Sequence, residues 1–310
     1  MLAAVLNGFD GPTSVTVAER EEPSAGEDQL LLEVSAAAVG PWDVQSTTGA
    51  FVALGGTSEF PQIPGWDFSG VVLEVGSAVS GWQVGDRAFG FSPQPWSGVG
   101  VFAERVALPA ALLTPMPEQL DPITAATLPV AALTAQLAVD QAQISAGSSV
   151  LVIGAVGAVG GFVTQLARSN GARVIASVSE SDRERALSLG AAVCVERDGD
   201  VAEQTLDAVG SVDSLIDLVG PAARPSAIGA LRPGGRFVTS IPGPLPKLPR
   251  EASGEILAVQ PNDEALQKIA AGVARGDILA RIGETLALSD VREAYRLSST
   301  AGGAKTVLRP

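Results

Sequence analysis

The stretch VLVIGAVGAVGGF, residues 150–162, does most to limit what this chain can fold into. An apolar run from Val150 to Ile153 ends at Gly154, and glycines recur at 157, 160 and 161 before a helix-compatible stretch. Strand, glycine turn and helix form the opening unit of a parallel sheet, because a strand buried on both faces reaches its parallel neighbour through a helical crossover. The pattern then repeats. The spacing predicts strands over 150–153, 173–177, 192–195, 213–218 and 236–240, and helices over 157–169, 181–189, 222–231 and 263–275. Asn170-Gly171 and Gly190 stop the first two helices, and Pro233-Gly234-Gly235 turns into the last strand. Such alternation implies right-handed crossovers and a doubly wound α/β sheet.

The first third reads as β. QLLLEVSAAAV (29–39) is a strand, GVVLEVGSAVSGWQVGDRAFGF (70–91) alternates as hairpins do, and GVFAERVALP (100–109) is another short strand region. Asp121-Pro122 starts a helix, with an acceptor at the cap and proline at the first helical position, and Pro129 interrupts the apolar segment running on to about Gln141. IPGPLPKLPR (241–250) directly follows a strand's C-terminal end. It reads either as a surface connection or as a semi-rigid wall beside a cofactor.

Composition removes whole classes of chemistry. The chain has no histidine and one cysteine, Cys194, so a Ser-His-Asp or Cys-His catalytic set, an intrachain disulfide, and a zinc site built on His or several Cys are all excluded. The net charge of −14, with no basic run, argues against nucleic acid and anionic membranes as partners. The longest apolar-rich stretch, 125–139, is too short to span a bilayer, and the start MLAAVLNGFD lacks a signal-like pattern, so a soluble cytoplasmic protein is the expectation.

The glycine stretch suits a dinucleotide: glycines let the backbone approach a pyrophosphate at the N-terminus of the following helix. Aligned on Gly157 and Gly160, the first glycine of G-x-G-x-x-G is Ala155, preceded by Gly154. The second strand, RVIAS, ends in Ser177, Val178 and Ser179 rather than in a carboxylate for an adenine ribose. Ser181 and Glu184 fit a capping box, which puts Arg183 in the first turn of the next helix. Serines and a guanidinium without a strand-end carboxylate favour a 2′-phosphate, hence NADPH, with Arg197 as a second clamp; the alternative reading has both arginines as solvated helix and loop residues.

Several stretches together resemble the medium-chain dehydrogenase/reductase superfamily, and within it the zinc-independent quinone oxidoreductase (ζ-crystallin-like) group. They are IPGWDFSGVVLEVGSAVSGWQVGDRAFG (63–90), the segment FAERVALPAALLTPMPEQLDPITAATLPVAALTA, GAVGAVG, DLVG (217–220), LRPGGRFV (231–238) and AKTVLRP (304–310). The resemblance implies a Rossmann-type doubly wound parallel sheet domain over 121–267 and a GroES-like β-barrel domain formed by 1–120 and 268–310. It also implies a homodimer or tetramer, with the homodimer the expectation taken forward. Where zinc-dependent relatives place a ligand histidine, this chain has Trp66, and Trp42 lies in the segment of a ligand cysteine, so no metal is expected. The cofactor contacts implied are Thr134, Gly154, Ala155, Gly157, Ala158, Val159, Gly160, Ser177, Ser179, Arg183, Arg197, Val219, Gly220, Ile241 and Lys305. Lys305 carries a second reading, as a solvated side chain.

The substrate half departs from the family. Its N-P-x-D-x-x-x-R-x-G motif is GPWDVQSTTG (40–49) here, with Gly40 for Asn, Thr47 for Arg, and Gln45 where some members carry tyrosine. Asp43 is kept, and a purely structural role accounts for it. Trp42, Gln45, Thr47, Phe51, Trp66, Phe91 and Trp96 are the candidate substrate pocket, with Phe91 and Trp66 alternatively core and Trp96, in a Pro/Gly-rich loop, the best cleft-lip residue. The chemistry implied is hydride transfer from NADPH to a quinone or to the β-carbon of an α,β-unsaturated carbonyl. Gln45, Thr47, a backbone N–H, a cofactor hydroxyl or water are candidate donors to the carbonyl oxygen, and water is the candidate proton source. Tyr295, the only tyrosine, reads as packed, and no catalytic acid is assigned. The alternatives are a polyketide-type enoyl reductase, motivated by the altered 40–49 motif and by arginine outnumbering lysine 17 to 3, and an NADPH-binding protein with a nonredox role.

Overall fold

The computed structural model describes residues 1–300 and 302–310. The chain divides into two compact units, Met1–Val130 with Pro261–Pro310, and Ala131–Gln260.

The first unit begins with β1 (Leu2–Leu6), β2 (Val15–Glu19), β3 (Gln29–Val39), the short helix α1 (Pro41–Ser46) and β4 (Asp67–Val75). It continues through β5 (Arg87–Phe91), α2 (Gln94–Ser97), β6 (Arg105–Pro109), β7 (Leu113–Pro115) and α3 (Pro122–Ala126). The hairpin expected over 70–91 is present: β4 and β5 pair antiparallel from Asp67↔Phe91 to Val71↔Arg87. Asp121 caps α3 by accepting from the Thr124 amide at 2.9 Å, and Pro129 then opens a separate helix, α4 (Pro129–Gln141). The break between units falls inside α4, later than the expected 120/121, because α3 packs on β3 and β4.

The second unit alternates as its sequence demands: β8 (Ser149–Ile153), α5 (Gly160–Ser169), β9 (Arg173–Val178), α6 (Arg183–Leu189), β10 (Val193–Glu196), α7 (Val201–Val209), β11 (Val212–Asp217), β12 (Leu231–Thr239) and β13 (Ser253–Ile256). These strands form one parallel sheet, ordered β10-β9-β8-β11-β12-β13. The order reverses between β8 and β11, the switch point at which open α/β sheets bind ligands beyond their strands' carboxyl ends. Leu151, Ile175, Leu215 and Phe237 fill its core, each worth about 1.5–3 kcal/mol of burial.

Three local expectations fail here. The stretch 222–231 is not a helix but two 3₁₀ turns, Arg224–Ser226 and Ile228–Ala230, because Pro225 would remove a helical hydrogen bond and clash with the preceding turn. Pro233-Gly234-Gly235 does not precede the last strand. It bulges within β12, with Gly234 at φ +69°, so the register against β11 jumps from Val212↔Leu231 to Ser214↔Arg236. Ser181 does not cap α6: a 3₁₀ turn over Glu180–Asp182 intervenes, and the helix starts at Arg183 with Asp182 at its cap position.

The chain then returns to the first unit through α8 (Asp263–Ala274), β14 (Ile282–Ala287), α9 (Val291–Thr300) and β15 (Lys305–Arg309). β15 pairs antiparallel with β3, so the sheet reads β14-β15-β3-β4-β5-β7, with β6 also on β3. α8 packs against β7, which brings the second break to Gln260/Pro261 rather than 267/268. Leu30, Leu32, Phe68 and Phe102 form this unit's core, and Tyr295 is fully buried against Phe102, as its packed reading required. Among the described residues, no helix is long and apolar enough to cross a membrane.

Candidate functional site

In the second unit, the turn after β8 is drawn tight. Gly154 takes φ +82°, and its carbonyl accepts from the Gly157 amide at 3.0 Å. Gly160 opens α5 directly against that turn: a Cβ there would sit 2.0 Å from the Gly154 carbonyl oxygen, so only glycine fits. Ala155 replaces a motif glycine without strain. The left-handed conformation falls one residue earlier, on Gly154, while Ala155 is fully buried and its carbonyl accepts from the Thr164 hydroxyl at 3.0 Å. α5 therefore begins at Gly160, not at 157, with Ala158 in the turn and Val159 at a cap position that supplies no side-chain bond. That helix N-terminus presents its dipole at the strand's carboxyl end.

Other expected contacts converge on this turn. A Cβ on Gly154 would meet Val219 Cγ2 at 3.0 Å, and one on Gly220 would meet Ile241 Cγ2 at 3.1 Å. Gly154, Val219, Gly220 and Ile241 thus form one contiguous edge beyond β8, β11 and β12. Thr134 is buried in α4. At the end of β9, Ser177 is buried within the strand, while the Ser179 hydroxyl donates to Asp182 at 2.8 Å. Arg183 is about half exposed. Its Nε donates to the Glu180 carboxylate at 3.0 Å, a contact that raises the guanidinium's pKa. The Arg197 amide donates to the Val178 carbonyl at 3.0 Å, holding that residue at the end of β9, while its exposed guanidinium lies 3.6 Å from Asp198. Exposed pairs of this kind are worth little, so neither carboxylate holds its guanidinium strongly.

In the first unit, the altered motif 40–49 builds α1. Asp43 closes the helix start: its Oδ2 accepts from the Gly40 amide at 2.7 Å and its Oδ1 from the Trp66 amide at 3.1 Å. Burial pushes this carboxyl well up, against the pull of the Gly40 bond. Asp67 lies alongside, also pushed up by burial but opposed by Lys305, whose ammonium donates to it at 2.6 Å. The solvated reading of Lys305 is wrong. The residue is 2% exposed, also donates to the Thr127 carbonyl at 3.1 Å, and lies 4.6 Å from the Trp42 ring centroid. An ammonium so buried needs this whole set of partners.

The aromatic candidates do assemble. Trp66 is ringed by Phe51 at 5.6 Å, Trp96 at 5.8 Å and Phe91 at 6.4 Å between centroids, and its indole N–H donates to the Ser46 hydroxyl. Trp66 and Phe91 are core, Phe51 is half-buried, and Trp96 is 45% exposed with its indole N–H on the Leu54 carbonyl. The cavity beside Phe51, lined also by Ser46, Gln62 and Gln94, has a volume of about 10 Å³, room for one water. Phe51, Trp66, Phe91 and Trp96 thus form one contiguous aromatic wall. Thr47 is also corrected: it is fully buried and its hydroxyl proton goes to the Val44 carbonyl at 2.7 Å, so it does not serve as a donor to substrate. Gln45 is exposed.

Residues 26–118 match the alcohol dehydrogenase GroES-like domain family, and residues 158–241 match the zinc-binding dehydrogenase family. The whole chain superposes on the quinone oxidoreductase of Coxiella burnetii with a TM-score of 0.87 at 29% identity, covering 100% of this chain and 99% of that one. The chain belongs to the medium-chain dehydrogenase/reductase superfamily. Within that superfamily it is 35% identical over 73% of its length to the chloroplastic NADPH-dependent alkenal/one oxidoreductase of Arabidopsis thaliana, of which the match spans 62%. It is 28% identical over 88% of its length to the quinone oxidoreductase of Mus musculus, of which the match spans 86%.

Two buried ion pairs of this superfamily member escaped the sequence reading. Asp67–Lys305 joins residues far apart in sequence, and Asp217–Arg224 sits beyond β11, with Asp217 fully buried and Arg224 nearly so. Asp67 and Asp217 lie inside the quoted PGWD and DLVG stretches, and acidic residues within otherwise apolar strands were the available signal.

Proposed function

We propose that the protein is an NADPH-dependent, zinc-independent reductase acting on a quinone or on the carbon–carbon double bond of an α,β-unsaturated carbonyl. The observation that carries it is the Gly154–Gly160 turn, which packs the start of α5 so closely on the end of β8 that a Cβ on Gly160 would strike the Gly154 carbonyl oxygen, the arrangement that suits a helix N-terminus to a pyrophosphate. When bound, the reduced nicotinamide supplies a hydride, and a proton from water completes the two-electron reduction. The chain's own contribution is placement. Gly154, Gly157 and the α5 N-terminus hold the pyrophosphate, Arg183 and Arg197 take the 2′-phosphate, and the Phe51–Trp96 wall supports a flat, apolar acceptor. The exposed Gln45 side chain is the remaining candidate among Gln45 and Thr47 for the acceptor's oxygen. Zinc chemistry does not fit this donor set, since the chain has no histidine and a tryptophan stands where zinc-dependent relatives carry one. Assembly as a homodimer belongs to the same reading and is checked by light scattering.

The test is NADPH oxidation followed with a panel of benzoquinones, alkenals, alkenones and enoyl thioesters. Turnover with a quinone or an alkenone supports the reading, and preference for the thioester moves the protein toward enoyl reduction. Tight NADPH binding with no turnover on any acceptor refutes a reductase and leaves a nonredox role.

A further inference from the structure

The Asp217–Arg224 pair belongs to neither the pyrophosphate turn nor the aromatic wall. Asp217 ends β11, fully buried. Its Oδ1 accepts from the amides of Val219 at 3.0 Å and Gly220 at 2.8 Å, which locks the turn. Its Oδ2 accepts from Arg224 Nε at 2.7 Å. The guanidinium of Arg224 covers the Phe237 ring, 5.3 Å from the centroid, and its Nη1 reaches the Pro244 carbonyl at 3.4 Å, inside the proline-rich stretch 241–250. Backbone bonds to the Gly220 carbonyl from Ala223 and Arg224 close the loop. One buried side-chain pair therefore ties together the end of β11, the 217–220 turn, the middle of β12 and the loop that leaves it.

We propose that Arg224 is a positioning residue, whose clasp with Asp217 sets the 217–220 turn and the 241–250 loop as the seat for the nicotinamide half of a dinucleotide. This role rests on the proposed dinucleotide function. The side of the sheet follows from its order: the β8–β9–β10 half carries the Arg183 end and so the adenosine, which leaves the β11–β12–β13 half for the other nucleotide. The surfaces presented there, Val219 at 52% exposure and Ile241, rest on Gly154 and Gly220, so a shift of the turn displaces them directly. Stability alone is a poor account of the pair, because a buried ion pair is commonly no better than apolar residues of the same size. What it does supply is one fixed geometry for two segments that run on beyond the last paired residues of β11 and β12, Asp217 and Thr239.

The experiment compares the full-length parent with Arg224→Met, Arg224→Lys and the double variant Asp217→Asn/Arg224→Met. The double variant removes both charges yet keeps an amide oxygen for the Val219 and Gly220 amides, so it folds without an unpaired buried ion. Two probes are titrated: NADPH, and 2′-phospho-ADP-ribose, which lacks the nicotinamide. Amide hydrogen exchange is read on the ligand-free proteins at 218–220 and 241–248. The double variant is expected to bind NADPH about tenfold more weakly, the scale of losing one charged hydrogen-bonded contact, while its affinity for 2′-phospho-ADP-ribose stays within about twofold. Exchange at both segments rises, and Arg224→Lys falls between parent and Arg224→Met. Equal losses for the two probes, or none for either, overturn the positioning role, and unchanged exchange at 241–248 overturns the clasp itself. Failure of the parent to bind either probe overturns the dinucleotide reading instead, and leaves the clasp to be judged by exchange.

Discussion

Replacing Gly160 by alanine is the sharpest probe of the glycine turn, because its cost follows from one distance. The new Cβ would lie 2.0 Å from the Gly154 carbonyl oxygen, a backbone atom that cannot swing aside as a side chain can. Reaching even a tight contact requires the turn and α5 to separate by about 1 Å, and overpacking of this kind costs roughly 1–3 kcal/mol. The damage falls where the pyrophosphate is proposed to sit, and a displacement near 1 Å costs a site about tenfold to a hundredfold. Gly161 is an internal control, and Gly157, itself a proposed pyrophosphate contact, is a milder steric case. A Cβ on Gly157 would stand 3.2 Å from the same oxygen, a contact relieved by a few tenths of an ångström, and one on Gly161 would meet only Leu189 Cδ1 at an ordinary 3.7 Å. Gly161→Ala also replaces glycine within a helix, so it is expected to be neutral or stabilising by up to about 0.5–1 kcal/mol. Thermal melts should rank Gly160→Ala far below Gly157→Ala, with Gly161→Ala at or above the parent, and NADPH titration by fluorescence should place Gly160→Ala far below Gly161→Ala. If Gly160→Ala melts and binds like Gly161→Ala, the steric reasoning for this turn is refuted.

Other outcomes rest on the same geometry. Lys305→Met leaves Asp67 buried without its cation and should cost about 3–5 kcal/mol in chemical denaturation. Because the stranded carboxyl's pKa then rises further, the folded state binds more protons than the unfolded one above the ordinary value near 3.8, so the deficit should widen as pH rises and shrink toward acid. Arg183→Ala should weaken NADPH binding about tenfold and leave NADH unchanged, as read by titration, and equal effects on both would refute the 2′-phosphate role. Asp213 is pushed up by burial, but bonds from the Ser149 amide and hydroxyl and from Arg232 hold its carboxyl below the ordinary value. Its stabilising contribution is therefore complete above pH 3.8 and lost as pH falls through the lower folded value. Asp213→Asn should lower stability at neutral pH and flatten the acid limb of the stability curve measured by urea denaturation.

Local rules read the parallel sheet well. An apolar tetrad followed by glycines, Asn170-Gly171 and Gly190 at helix ends, and Asp121-Pro122 at a helix start each act within a turn or two of chain, so β8, α5, β9 and α3 were legible in the residues alone. Where a nearby breaker competed with a longer pattern, legibility failed: Pro225 turned an expected helix into two 3₁₀ turns, and a glycine pair became a bulge within β12.

The composition settled without any structure that no histidine and no intrachain cysteine pair takes part in this chain's chemistry, and the glycine spacing marked the tight turn between β8 and α5. Burial and long-range pairing were decided only in three dimensions. Lys305 looks like any lysine near a chain end, yet the pairing of β15 with β3 carries it beside Asp67 and over Trp42. Thr47 looks like a free hydroxyl until α1 turns it inward onto the Val44 carbonyl. Arg224 comes after an ordinary alanine pair, and becomes a clasp only because β11, β12 and the proline-rich loop converge on it. The reason is physical: a side chain's ionisation and partners depend on its distance from water and from residues tens or hundreds of positions away, and no local pattern encodes that distance.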